Sequence, residues 1–250
     1  HQLDVVRKLR KNIKEIGVGE NYLIQHTTGS GKSFSIGWLS HMLTSLYKTK
    51  EDTNRVFDSI IVITDRKVLD KQLQNTLTQL EKTKGVVKKI DKDSKQLRAA
   101  LESGKAIIVT TIQKFSVVVE KMTELKGQTF GVVIDEVHSS QTGESAKNLK
   151  KVLSFTEEDK ESEIDSLLEM VRREQDSRQA QSHISFFGFT GTPKNKTLEL
   201  FGTKTSDGKF KPFHTYTMKQ SIHEKFTLDV LKNYTTYSRY FKVKKAKDVD

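Results

Sequence analysis

The sequence predicts an α/β fold: a mostly parallel central sheet with helices on both faces, three layers in all. Short, near-continuous apolar runs, as required of strands covered on both faces, alternate with segments whose apolar residues recur at helical spacing. Polar clusters stand immediately after several of these runs, at TTGSGKS, TDRK, TTIQK, DEVH and TGTP. In open parallel sheets ligands bind beyond the carboxyl ends of the strands, so these clusters are expected to share one rim.

Leu3, Val6, Leu9, Ile13 and Ile16 fit an amphipathic helix over 1–16, ended by Gly17 and Gly19. Tyr22-Leu23-Ile24 closes a short buried strand, and Ile36, Leu39, Met42, Leu43 and Leu46 mark the helix that follows. Residues 58–64 (DSIIVIT) are a strand, 67–80 a helix with Val68, Leu69, Leu73, Leu77 and Leu80 on one side. Residues 86–90 are a weak strand and 94–101 a helix with Ser94 placed to cap it. Strands at 106–110 (AIIVT), 130–134 (FGVVI) and 183–189 (HISFFGF) complete the series, and Phe115 is assigned to the core. Between 139 and 182 the pattern loosens: 157–163 is strongly charged, while Ile164, Leu167, Leu168 and Val171 suit one surface helix, so about 141–182 is expected to be a mobile polar insertion.

The 250 residues carry a formal charge of +11, which points to polyanionic partners or simply to solubility. The charge is uneven: 141–183 is net −3 and 204–250 is net +6. No cysteine is present, which excludes disulfides and Cys-ligated zinc and suits a reducing cytoplasm. No run of 18 apolar residues and no basic-then-apolar leader occurs, so neither a membrane span nor a signal peptide is expected.

A strand, a Gly-rich loop ending in Gly31-Lys32-Ser33 and a helix supply the context of a phosphate-binding P-loop. Gly29 and Gly31 can take positive φ and turn successive N–H groups toward a phosphate, and the helix N-terminus adds its dipole. Thr28, Gly29, Ser30, Gly31, Lys32 and Ser33 are therefore expected to hold a nucleotide, Lys32 at the β and γ phosphates and Ser33 on Mg²⁺. The strict pattern would begin with glycine at position 26, where this chain has His26. Asp135 and Glu136, after an apolar strand, would repel each other without a cation; with Mg²⁺ held by Ser33 and Asp135, Glu136 is placed to deprotonate an attacking water. The duller alternative is a helix start favoured by acidic residues.

His138 could connect the nucleotide site to a second site or be merely structural. Thr190-Gly191-Thr192-Pro193 is a tight turn whose hydroxyls could bond Asp135 or His138. Thr64, Arg66, Thr110, Thr111 and Gln113 offer hydroxyl, amide and cationic groups suited to a nucleic-acid backbone rather than to base edges. Singly, each of those clusters could be a helix cap with a solvated charge.

In this order the clusters resemble the first motor lobe of superfamily-two DExH helicases and translocases: TTGSGKS like motif I, TDRK like motif Ia, TTIQ like the next nucleic-acid motif, DEVH like motif II and TGTP like motif III. His1-Gln2 looks like the tail of an upstream motif whose glutamine reads adenine, which would assign Gln2 that role, and the family varies the first loop residue that is His26 here. The text at QHTTGSGKS, ITDRKVLDKQL, FFGFTGTPKNKTLELFG and HTYTMKQSI is similar to the motor subunit of type I restriction enzymes.

The resemblance covers about 1–240. It implies a RecA-like P-loop NTPase lobe at 1–225, with 226–250 starting the connection to a second lobe. It further implies ATP and Mg²⁺ as cofactors and double-stranded DNA as the translocated partner. A nuclease domain, methyltransferase and specificity subunits would belong to the same complex. The second lobe would supply the arginine that completes the nucleotide pocket, worth about 10³ to 10⁵ in rate in comparable sites, so these residues alone are expected to hydrolyse ATP slowly if at all.

A lobe of another superfamily-two DNA or RNA helicase remains an alternative, as does a non-catalytic nucleic-acid-binding P-loop domain. A P-loop kinase or GTPase would carry an acceptor site or an N-K-x-D motif, and neither occurs.

Overall fold

The computed structural model describes residues 1–64, 67–81, 85–90, 94–112, 125, 127–137, 166–172, 183–229 and 232. Arg66, Gln113, Phe115 and His138 lie outside these residues, as does most of the predicted insertion.

Helix α1 (Gln2–Ile16) leads to β1 (Asn21–His26), α2 (Lys32–Thr44), β2 (Ser59–Thr64), α3 (Lys67–Gln79), β3 (Val87–Lys89), α4 (Ser94–Glu102), β4 (Ile107–Thr111) and β5 (Phe130–Ile134). A helical stretch at 166–172 precedes β6 (Ile184–Thr190) and α5 (Asn195–Phe201). The chain continues through β7 (Thr203–Lys204), β8 (Phe210–Lys211), β9 (His214–Tyr216) and α6 (Met218–His223). No helix of the described residues is long and apolar enough to cross a membrane.

The sheet runs β3-β4-β2-β5-β6-β1-β9, every pair parallel, and the short β7-β8 hairpin stands apart. Strands β2, β5 and β6 are buried at every residue, which is why they read as continuous apolar runs rather than as alternation. Successive side chains still part to opposite faces. Ile60, Val62, Val133 and Phe187 pack with α1, α2 and α3, whereas Ile61, Ile63, Val132 and Phe186 pack with α4, α5 and the 166–172 helix. The result is the three-layer αβα arrangement that the sequence predicts.

Two details differ from the sequence reading. The buried stripe of α1 is Val5, Val6, Leu9 and Ile13, while Leu3 and Ile16, in the first and last turns, are exposed. Leu167, Leu168 and Val171 are buried within the second core layer rather than lying on a surface helix. Strand β9 is too short to show a period in sequence; parallel pairing with β1 recruits it as the edge strand.

Candidate functional site

Because all strands of the seven-stranded sheet are parallel, the carboxyl ends of β1, β2, β4, β5, β6 and β9 open on one rim. Strand β6 separates β1 from β5, so the phosphate loop and the acidic pair flank the Thr190-Gly191-Thr192 turn. The sequence patterning alone does not place them so.

The loop after β1 is shaped by its glycines. Gly29 has φ 79° and Gly31 φ 74°, left-handed values that β-carbon-bearing residues rarely take. Gly31 caps α2 in that conformation, and its carbonyl accepts from Phe34 N–H and Ser35 N–H. Gln2 Nε2 donates to the same carbonyl at 3.0 Å, and His1 Nε2 lies 2.8 Å from the Ser30 carbonyl, so the start of the chain buttresses the loop. A β-carbon on Gly31 would sit 2.4 Å from Gln2 Nε2, so a larger residue would displace the end of the Gln2 side chain as well as strain the backbone. Ser30 is turned inward, its hydroxyl donating to Thr27 O at 2.6 Å, and Thr28 and Gly29 are exposed. Ser30 therefore shapes the loop and does not offer its hydroxyl to a ligand. Ser33, half-buried, begins the first turn of α2, where helix N–H groups have no intrahelical acceptor.

Lys32 is 8% exposed, and its Nζ lies 3.0 Å from Glu136 Oε1. The backbone beyond β5 explains how Glu136 reaches it. Asp135 N–H donates to Ile63 O on β2, and Val137 N–H donates to Phe189 O on β6. Glu136, pinned between these bonds, takes φ 55°, a left-handed value costly for a non-glycine residue and typical of strain retained at functional sites. The kink carries its carboxylate across the end of β6 to Lys32. Asp135 stays buried at the rim.

The turn after β6 completes this row. Thr190 is fully buried and its hydroxyl accepts from Thr192 N–H at 3.2 Å. Gly191 fits against the phosphate loop: a β-carbon there would stand 3.2 Å from Thr28 Oγ1 and 3.4 Å from His26 O. The turn thus touches the loop directly. Thr64 and Thr110 are each 1% exposed, and among the described residues their buried hydroxyls have no hydrogen-bond partner, so their side chains lie within the sheet rather than on its surface. Of the predicted backbone-contacting residues, Thr111 alone reaches the surface among those described.

His26, the departure from the strict loop pattern, has a use that the motif does not record. Its Nε2–H donates to His214 Nδ1 at 2.8 Å, and His214 Nε2–H donates to Asp4 Oδ2 at 2.8 Å. Asp4 also pairs with Lys8 at 2.8 Å. This assignment follows from the carboxylate, which can only accept. The chain ties β9 and α1 to the start of the loop. Burial, reinforced by His214, the chain's amino terminus and Lys32, pushes the pKa of His26 down to about 3. Burial likewise lowers that of His214, against the opposing pull of Asp4. The bonds to Lys8 and then His214 hold Asp4 below the usual carboxylate range. Sequence reasoning had no signal for a pair of histidines 188 positions apart.

Among the described residues no group of three His, Cys, Asp or Glu side chains could hold a metal by themselves. The oxygen donors of Ser33 and Asp135 beside a glycine cradle instead fit Mg²⁺, a cation that keeps several waters and takes phosphate oxygens with one or two carboxylates.

Known proteins resemble this chain in sequence and in fold. The sequence model of the SWI2/SNF2 ATPases matches residues 1–158. A type I restriction enzyme endonuclease subunit from Staphylococcus saprophyticus subsp. saprophyticus is 28% identical over 209 residues, covering 82% of this chain and 18% of that protein. Its counterpart from Staphylococcus aureus strain COL is 28% identical over 211 residues, 82% of this chain and 19% of that protein. The chain thus spans about a fifth of the length of the curated relatives it matches. Among solved structures, a nuclease-deletion mutant of the Type ISP restriction-modification enzyme LlaGI, in complex with a DNA substrate mimic, matches with a TM-score of 0.52 at 16% identity, covering 92% of this chain and 21% of that one. That likeness is one of fold, α/β and RecA-like.

Proposed function

The chain belongs to the SWI2/SNF2 ATPase family, and from that premise we propose that it is the first motor lobe of an ATP-dependent double-stranded DNA translocase of the type I restriction kind. The family membership makes it a helicase-like lobe of an ATP-hydrolysing enzyme. Its assignment to a restriction complex is supported by the two staphylococcal relatives and by the text shared with motor subunits.

One observation carries the reading: the 3.0 Å approach of Lys32 and Glu136, which joins the phosphate loop to the acidic pair on one rim. Lys32 takes the β and γ phosphates of ATP, with the N–H groups of Gly29 to Ser33 around them. Ser33 and Asp135 would hold Mg²⁺, which would supply charge neutralisation on the phosphate oxygens. Glu136 accepts the proton of the attacking water. Since Glu136 is paired with Lys32 in this structure, the arriving phosphate must take over the ammonium before the carboxylate can act as base. Gln2 reads the adenine edge.

Thr190, Gly191 and Thr192, lying between the two halves of the site, transmit the state of the phosphate to the DNA side, with His138 as a further link. Arg66, Thr111 and Gln113, beyond β2 and β4, hold the DNA backbone, while buried Thr64 and Thr110 contribute through the main chain. Residues 1–225 form the lobe, the polar stretch about 141–182 is an insertion within it, and the chain from 226 leads toward a second lobe bearing the completing arginine. The nuclease domain and the methyltransferase and specificity subunits are the other partners of this assembly, in the cytoplasm.

The test is Glu136→Gln in the full-length protein. Nucleotide should still bind while DNA-stimulated hydrolysis falls by about 10² to 10⁴, the contribution of a general base; undiminished hydrolysis would refute the assignment. A two-lobe protein should also hydrolyse ATP far faster than residues 1–250 alone, and equal rates would overturn the need for an arginine in trans.

A further inference from the structure

The turn after α6 carries a ring that neither the motifs nor the phosphate chemistry uses. Phe226 is 50% exposed, yet its position is fixed. Its N–H donates to Ser221 O at 2.8 Å, Thr227 Oγ1 donates to the buried Ser221 Oγ at 2.9 Å, and Tyr216 Oη donates to Glu224 Oε2 at 2.7 Å. A capping box between Thr217 and Gln220 anchors the start of α6. Lys225 takes φ 58°, a left-handed value for a residue with a side chain, and this turn points the chain back toward the phosphate loop.

What Phe226 approaches is specific. The His1 ring stacks on Tyr216 at 3.6 Å, and Phe226 meets the His1 ring edge-on at 5.2 Å. A β-carbon on Gly31 would stand 3.8 Å from Phe226 Cε1 and 2.4 Å from Gln2 Nε2, and one on Gly29 would stand 3.1 Å from Thr227 Cγ2. Phe226 and Gln2 therefore meet at Gly31, with Thr227 against Gly29, so that a ring with an open surface adjoins an amide and a phosphate cradle. An aromatic ring left in water beside a nucleotide loop and held there by a strained turn is suited to a flat π-surface.

We propose that Phe226 is the stacking platform for the base of the bound nucleotide, and that residues 224–227 complete the pocket that Gln2 and the phosphate loop begin. The inference rests on the nucleotide reading above. The division of labour is physical: stacking on an aromatic ring tolerates any base, because every base has a π-face. Selection among bases falls to Gln2, whose amide N–H is engaged with Gly31 O and whose carbonyl oxygen can accept from an exocyclic amine.

The experiment compares equilibrium binding of ATP and of inorganic tripolyphosphate to the full-length protein and three variants. Phe226→Ala should bind ATP about tenfold more weakly, in the range lost when a base-stacking ring is truncated, and bind tripolyphosphate unchanged. Phe226→Tyr should bind ATP as the parent does. Unchanged ATP affinity in Phe226→Ala, or equal weakening for both ligands, would overturn the stacking role; the second result would make Phe226 a support for the loop. Lys32→Ala should lose both ligands. If it instead binds both like the parent, the phosphate-site reading itself fails, whatever Phe226 does.

Discussion

Lys32 Nζ and Glu136 Oε1 stand 3.0 Å apart across the end of β6, one from the helix after β1 and the other from the kink after β5. The ammonium of the phosphate loop is thereby neutralised by the carboxylate to which the proposed function gives the activation of water. On that proposal nucleotide binding and release of the base would be one event, since a phosphate and Glu136 would compete for one cation.

That competition predicts a stability signature. Lys32 is 8% exposed and Glu136 27%, so the pair lies between an exposed ion pair, worth almost nothing, and a buried one whose breakage costs about 3–5 kcal/mol. Glu136→Gln should destabilise the nucleotide-free protein by about 1–3 kcal/mol. A saturating, non-hydrolysable ATP analogue should narrow the gap, because phosphate then partners Lys32 in parent and variant alike. Thermal denaturation with and without the analogue checks this, and a gap indifferent to nucleotide would contradict the competition.

Gly31 and Gly208 permit a cleaner separation of strain from site chemistry. Both have left-handed φ, 74° and 78°, but a β-carbon meets Gln2 Nε2 at 2.4 Å at Gly31 and nothing within 4 Å at Gly208. Alanine at either position should cost about 1–2 kcal/mol of backbone strain. Only Gly31→Ala should also weaken nucleotide binding, as read by titration with a fluorescent ATP analogue. Equal affinity in the two variants would mean that the cradle tolerates a side chain.

The His26 pair makes the fold acid-sensitive. His26 is fully buried with a pKa near 3 against an ordinary 6.5, so between those values the unfolded chain holds a proton that the folded chain refuses. Stability therefore rises with pH across this window and falls by up to about 1 kcal/mol for each pH unit once the pH is below 6.5. The lowered His214 adds to the slope below 6.5, whereas the lowered Asp4 contributes only once the pH falls below its ordinary 3.8. Urea denaturation at pH 7, 6 and 5 should show His26→Gln losing less stability per unit than the parent; parallel slopes would remove the histidine from the account.

Much of this was legible in the chain and some of it could not be. FGVVI, SIIVIT and ISFFGFT announce strands because burial on both faces demands apolar residues at consecutive positions, and DEVH and TGTP stand where such strands end. Strand β9 and the His26–His214 bond were hidden, because they depend on which edge the chain returns to after some 190 residues. The burial of Thr64 and Thr110 was hidden for another reason: hydroxyl residues at the carboxyl end of a strand read as polar ends, although both are still paired within the sheet, Thr64 with Thr111 and Thr110 with Ile63. Phe226 looked like linker because its place beside Gly31 is set by the conformation of Lys225, which no local pattern encodes.

Gly188 and Gly131 test whether the acidic pair is held by packing. A β-carbon on Gly188 in β6 would meet Val137 Cγ1 at 2.6 Å and Phe201 Cδ1 at 3.3 Å, and Val137 follows Glu136 directly. A β-carbon on Gly131, near the start of β5, would meet Ile60 Cδ1 at 2.7 Å, far down the strand from the rim. Each alanine overpacks the core and should cost about 1–3 kcal/mol. Displacement of Val137 would be passed to Glu136 through the strained kink, moving the carboxylate relative to Lys32. Gly188→Ala should therefore lower the DNA-stimulated ATPase kcat of the full-length protein at temperatures where it stays folded, while Gly131→Ala of similar stability should not. Equal kcat in the two would show that the kink absorbs the shift and that packing of Val137 does not set the position of Glu136.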